Sequence, residues 1–150
     1  MIPRYRVWLP EPDVGRMLRV KALVYESDKT RCVCGYAYDF YLEDEDATIM
    51  QSTGLFDKNG KEIFEGDIIR TSAYGCIVGF GEYAHFEDED TQVTEVGFYL
   101  SFLNVTPATY APFEKFYWDN CEVIGNVYEN ELDLIMYEAY KYNKNRDEVD

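Results

Sequence analysis

Cys32 and Cys34 stand one residue apart in "RCVCG", and on a strand two thiols at that spacing project from the same face. Such a pair would begin a zinc site, with Cys76, Cys121 and His85 as the soft groups left to complete it. Zinc ligand pairs are ordinarily set two to four residues apart at a turn, and each completing group lies in a strand-like or apolar context. Buried, inert thiols are the favoured reading, because unpaired cysteine is among the most buried residue types. His85 is the single histidine, in "EYAHFEDED", and any Ser-His-Asp or Cys-His site would have to use it. Glu87 to Asp90 would hold it charged and no G-x-S-x-G elbow is present, so it reads as a solvated surface histidine.

Two "EDED" runs, Glu43 to Asp46 and Glu87 to Asp90, supply clustered carboxylates of the kind hard cations prefer. Neither has the D-x-D-x-D-G spacing of a calcium loop, and consecutive acids in loops read as solvated charge. Paired carboxylates for glycoside hydrolysis need a defined separation in space, and nothing in the sequence selects a pair. Phosphate-cradling loops are absent, both G-x-x-x-x-G-K and the strand-to-helix G-x-G-x-x-G. Tyr36, Tyr38 and Phe40 offer rings for stacking on single strands, without the basic groove that would track a backbone. The reading therefore assigns no catalytic, cofactor-binding or metal-ligating residue.

Charge narrows the partners. Acids outnumber bases 29 to 14, for a formal net charge of −15. Counterion release by Lys and Arg drives nucleic-acid binding, so direct nucleic-acid contact is disfavoured, as are anionic membrane surfaces. A local basic patch at Arg4, Arg6, Arg16, Arg19 and Lys21 reads as the polar side of alternating strands. A basic protein partner is permitted. No apolar run approaches the roughly 18 residues of a membrane span, and "MIPRYRVWLPEP" lacks the apolar core of a signal peptide. The expectation is a cytoplasmic protein with reduced cysteines.

The elements that must position these groups are strands. Aromatic residues reach 17%, with 14 Tyr and 9 Phe, a composition that favours pleated, half-buried surfaces. Period-2 patterning predicts strands at Tyr5–Leu9, Met17–Glu26, Arg31–Leu42, Asp67–Thr71, Gly75–Gly81, Thr94–Leu103 and Cys121–Tyr128. "NVTPATYAPFEKF" reads as a long loop. After a cap at Asn130, Leu132, Ile135, Met136, Ala139 and Tyr140 follow the spacing of a short C-terminal helix. The predicted fold is mainly β: a small SH3-like, β-barrel-type domain with additional N-terminal strands. It fills residues 1–140 as one domain, with two β subdomains meeting near 47–66 as the alternative, and 141–150 form a frayed polar tail.

The most deliberate stretch is "STGLFDKNGKEIFEGDII", Ser52 to Ile69. Asp57 with Asn59 and Gly60 spells one turn, and Glu65 with Gly66 and Asp67 spells a second before an apolar strand. These six residues form either an exposed acidic docking site or turn chemistry that fixes strand register. Turn geometry already explains each residue type and is preferred.

"MIPRYRVWLP", "MQSTGLFDKNGKEIFEGDIIR" and "CEVIGNVYEN", in that order, resemble the YopX-type proteins of phages and prophages. The resemblance implies a small, mainly β protein encoded by a phage or prophage in a bacterial host, of a kind often oligomeric. It brings no established activity, so no catalytic residue carries over. The segment between Thr71 and Cys121 matches no motif and is left open for a specific role. The function expected is a non-enzymatic binding or scaffold module that self-associates. The alternatives are an acidic mimic of DNA that inhibits a host nucleic-acid-binding protein, and a carboxylate- or metal-dependent hydrolase.

Overall fold

A computed structural model gives the architecture, describing residues 2–10, 15–35, 38–72, 74–115 and 119–130. It is mainly β, with curled sheets, and divides into two compact units, Met1–Ser52 and Thr53–Asp150.

In the first unit β1 (Tyr5–Leu9) lies between β2 (Arg16–Arg19) and the first half of β6 (Thr48–Phe56), antiparallel to both. β3 (Ala22–Tyr25), β4 (Thr30–Gly35) and β5 (Tyr38–Tyr41) form an antiparallel meander. The run expected as one strand from Met17 to Glu26 is thus two strands in two sheets. The chain changes partner at its middle: Val20 N–H donates to Tyr5 O at 3.1 Å, and the next amide, Lys21 N–H, donates to Val33 O at 2.8 Å. The run expected as one strand from Arg31 to Leu42 is a hairpin. Gly35, with φ of 92°, adopts the left-handed conformation that lets the chain reverse. Cys32 and Phe40 then face the same side as cross-strand partners rather than as members of one strand.

The second unit begins in β6, whose later half pairs with β7 (Glu62–Phe64). β8 (Asp67–Arg70), β9 (Gly75–Phe86), β10 (Gln92–Phe102), β11 (Tyr110–Pro112) and β12 (Glu122–Asn126) form a sheet in the order β11-β10-β9-β8-β12. β8 is covered on both sides. Ile69 packs with Ile63, Cys76, Val78, Leu100, Cys121 and Val123, while Ile68 packs with Leu103, and both isoleucines are 0% exposed. An unbroken apolar "II" is the spelling of a strand with no wet side. Each isoleucine buried contributes about 1.5–3 kcal/mol.

β9 and β10 run longer than the pattern suggested. Gly81 and Gly97, which interrupt the apolar rhythm, lie opposite each other at φ of 147° and 158° and are crossed by the pairing rather than ending it. The second acidic run is the tip of this ribbon. Asp88 Oδ1 accepts the amides of Asp90 and Thr91, each at 2.9 Å, and Glu87 N–H donates to Thr91 O. The first run instead reaches back to the β3–β4 hairpin: Glu43 Oε1 accepts Thr30 N–H at 2.6 Å and Asp44 meets Lys29 Nζ at 2.9 Å. Within the stretch expected to be all loop, β11 adds to β10, with Pro112 opposite Tyr99 on the edge where a missing N–H is tolerated.

The last predicted strand stops at Asn126. Its side-chain oxygen accepts the amides of Tyr128 and Glu129 at 3.0 and 2.8 Å, and Asn130 Oδ1 reaches back to Asn126 N–H. Asn126 thus shapes the turn that ends β12, whereas the helix that Asn130 was expected to cap begins beyond the described residues. The C-terminal helix over Leu132 to Tyr140 and the polar tail lie outside the described residues.

Gly66, at φ of 87°, delivers the chain into β8 while its N–H donates to Val78 O and its carbonyl accepts Val127 N–H. Gly66→Val forces a branched side chain into the left-handed region and should lower stability by about 1–3 kcal/mol. Urea unfolding checks this, and an unchanged midpoint would refute it.

Candidate functional site

The doubled turn is built around two inward carboxylates. Asp57 is 7% exposed and Asp67 is 1% exposed. Asp57 Oδ1 accepts the amides of Asn59 and Lys61 at 2.9 and 2.8 Å, closing the "DKNGK" turn over Gly60 at φ of 82°. Asp57 Oδ2 accepts Val123 N–H at 2.9 Å, and Lys58 N–H donates to Cys121 O, so the turn is fastened to β12. Asp67 Oδ2 accepts Phe64 N–H at 2.8 Å and closes the second turn, where Glu65 is half-buried. Both carboxylates are turned inward onto backbone amides, the arrangement that turn chemistry requires.

What the fastened turn does frame is a polar pocket of about 710 Å³, lined by Lys58, Arg70, Thr71, Ser72, Asn120 and Glu122. Arg70 and Glu122 form an ion pair across β8 and β12 at 3.1 Å. With one cation already held by a carboxylate, the pocket is close to charge-balanced and offers hydrogen bonds rather than a strong field.

A second constellation lies in the segment that matched no motif. Successive odd positions of β9 and β10 share a side of the sheet, bringing Tyr83, His85, Glu95 and Tyr99 together. Tyr83 stacks on His85 and on Tyr99 at ring separations of 5.5 and 4.9 Å, and Tyr110 of β11 meets Tyr99 edge-on. Tyr99 lies directly over Gly79, its cross-strand partner, where a Cβ would collide with the ring. Tyr83 Oη donates to Glu95 Oε2 at 3.0 Å. Burial, then Glu95 and Glu114, push the Tyr83 phenol up to about 12.

His85 is corrected here. Its side chain is 11% exposed, not solvated: β9 continues past Gly81, and the His85 ring stacks on Tyr83. Its Nε2 lies 3.4 Å from Glu95 Oε2 and has no hydrogen bond among the described residues. His85, Phe86, Glu87, Glu95, Tyr110, Pro112 and Glu114 line a pocket of about 460 Å³. Sequence pattern missed this group because its members are scattered over three strands. The signal available was the odd-position recurrence of Tyr83 and His85, hidden by ending the strand at Gly81.

The cysteines are placed as thiols. Cys32 Sγ and Cys34 Sγ are 3.8 Å apart, and burial pushes Cys32 up to about 12 and Cys34 upward. Cys76 rises to about 12 and Cys121 to about 11, each chiefly from burial in the second unit's core. Thiols held protonated are poor nucleophiles and poor ligands. Among the described residues, no three His, Cys, Asp or Glu side chains are placed to share a metal ion.

Burial raises the Asp57 carboxyl, but the amides of Val123, Lys61 and Asn59 outweigh it and hold the group below the ordinary aspartate value of 3.8. A carboxyl depressed in the folded state adds stability above its unfolded pKa, and that stability is lost as pH falls through the folded value. Asp57→Asn replaces one accepting oxygen by a donor facing amide donors. It should cost about 2–3 kcal/mol at pH 7, with the difference from wild type shrinking below about pH 4. Denaturant melts across pH check both, and a pH-independent difference would refute the linkage.

Comparison with known proteins places the chain. A crystal structure of protein EF1440 from Enterococcus faecalis is similar over 89% of this chain and 99% of that one, with 24% identity and a TM-score of 0.46. No curated protein sequence matches. The model of the YopX protein family matches residues 4–133, and the chain belongs to that family.

Proposed function

We propose that this YopX-family chain is a non-enzymatic accessory module of phage or prophage origin, acting in the cytoplasm of a bacterial host by self-association and by holding a basic protein segment. The pocket beside His85 carries the reading. Three glutamates, Glu87, Glu95 and Glu114, line it together with Tyr110. Carboxylates beside an aromatic face suit an arginine or lysine side chain through ion pairing and cation–π attraction.

Self-association has its own support on the opposite side of the ribbon. Phe80, Phe86 and Val96 occupy even positions there and are exposed, with Phe80 against Phe98 at 4.7 Å. A hydrolase has less support. Glu43, Asp57 and Asp88 are each held down by backbone amides, away from a general acid. DNA mimicry also has less support, since these acids are committed to separate turns instead of a continuous row.

A fluorescent arginine-rich peptide tests the pocket by anisotropy. Replacing Glu95 and Glu114 by Gln should weaken binding about tenfold. The matched pair Glu89→Gln and Asp90→Asn, at the ribbon tip, should change it less than about twofold. Equal losses from both pairs would mean that only net charge matters, and would sink the reading. Light scattering across micromolar concentrations should show a species larger than 17.6 kDa, and a strict monomer would remove the self-association clause.

A further inference from the structure

The chain's charge is unevenly divided. Met1–Ser52 holds half of the Lys and Arg but nine of the 29 acids, so the first unit is near neutral while the rest carries most of the excess. Within that unit Lys29 pairs with Asp44 and Arg31 with Asp39, while other bases gather about the β1–β2 ribbon. Arg6 and Arg19 are direct cross-strand partners of β1 and β2, which puts two guanidinium groups on one side of the ribbon. Arg4 immediately precedes β1 and lines the same cleft as Arg19.

The row opens onto a groove. Where the chain passes from β2 to β3, the partner change at Val20 and Lys21 leaves a cleft of about 540 Å³. Arg4, Arg19 and Lys21 line it together with Tyr5, Leu23 and Tyr25. That volume falls within the range of about 300–1,000 Å³ for small-molecule sites. At one end stands Tyr25, 78% exposed, an unusually bare ring for a β-rich surface.

We propose that this groove binds a small phosphorylated ligand with a flat ring, of nucleotide size. Guanidinium forks and an ammonium meet phosphate oxygens with paired, charge-assisted hydrogen bonds. An exposed tyrosine supplies a stacking face for a planar base. A net charge of −15 repels a long polyanion, which must lie along much of the surface, far more than a ligand confined to this cleft.

Titration calorimetry of the whole chain with metal-free ATP and with tripolyphosphate tests the site at about 0.15 M salt. Both probes should bind saturably at one site per chain. Arg19→Gln and Lys21→Gln should each weaken both probes about tenfold, with unchanged circular dichroism. Tyr25→Ala should weaken ATP at least about fivefold and leave tripolyphosphate within about twofold, since only the former has a base to stack. Absence of saturable binding by either probe would overturn the proposal, as would wild-type affinity in the Arg19 and Lys21 variants. Equal loss of both probes in Tyr25→Ala removes the flat-ring requirement and also counts against it. If a short oligoglutamate displaces tripolyphosphate at lower concentration than ATP does, the groove serves an acidic polypeptide and the nucleotide assignment fails.

Discussion

The Asp57 carboxylate is the constraint on which the second unit depends. It joins backbone positions separated by 66 residues, from the turn after β6 to Val123 in β12. One oxygen shapes a local turn and the other fixes a distant strand, so neither can move alone. Burying an anion is costly, and three amide donors offset that cost where a single partner would leave lone pairs unmet. With β12 paired on one edge and β9 on the other, β8 is central in this part of the sheet, and its two isoleucines enter packed clusters on opposite faces.

Polar chemistry in the chain divides into groups consumed by folding and groups left at the surface. Asp57, Asp67, Glu43, Asp88 and Asn126 all accept backbone amides, and each shapes a turn. What remains for recognition is of both signs: an acidic, ring-lined pocket on the long ribbon and a cationic groove in the N-terminal unit. Each pocket arises where a strand departs from simple pairing. β11 covers the edge of β10 in the first case, and the β2–β3 run changes partners in the second.

Much of this was legible in particular residues. Turn chemistry at Asp57, Asn59, Gly60 and Gly66 is local, because it depends on positive φ and on side chains that reach amides two to four residues away. β1 and β8 were readable from their apolar pattern. The breaks at Val20 and at Gly35 were not, because a strand keeps its alternation whether it has one partner or two. His85 was misjudged for a similar reason: neighbouring acids dominate its local spelling, whereas its contacts are with Tyr83 and with Glu95 of the paired strand.

The sequence by itself determined a mainly β chain, the family, and the positions where the backbone must turn, since these follow from composition, motif and the conformational limits of single residues. Only the tertiary structure decided that Asp57 clamps a strand 66 residues away, that Arg6 faces Arg19, and that His85 stacks on Tyr83 in a pocket shared with Tyr110. Those are facts of register and closure. A shift of one residue along a strand would send every such side chain to the opposite face, and the energy that prevents it resides in contacts between segments far apart in the chain.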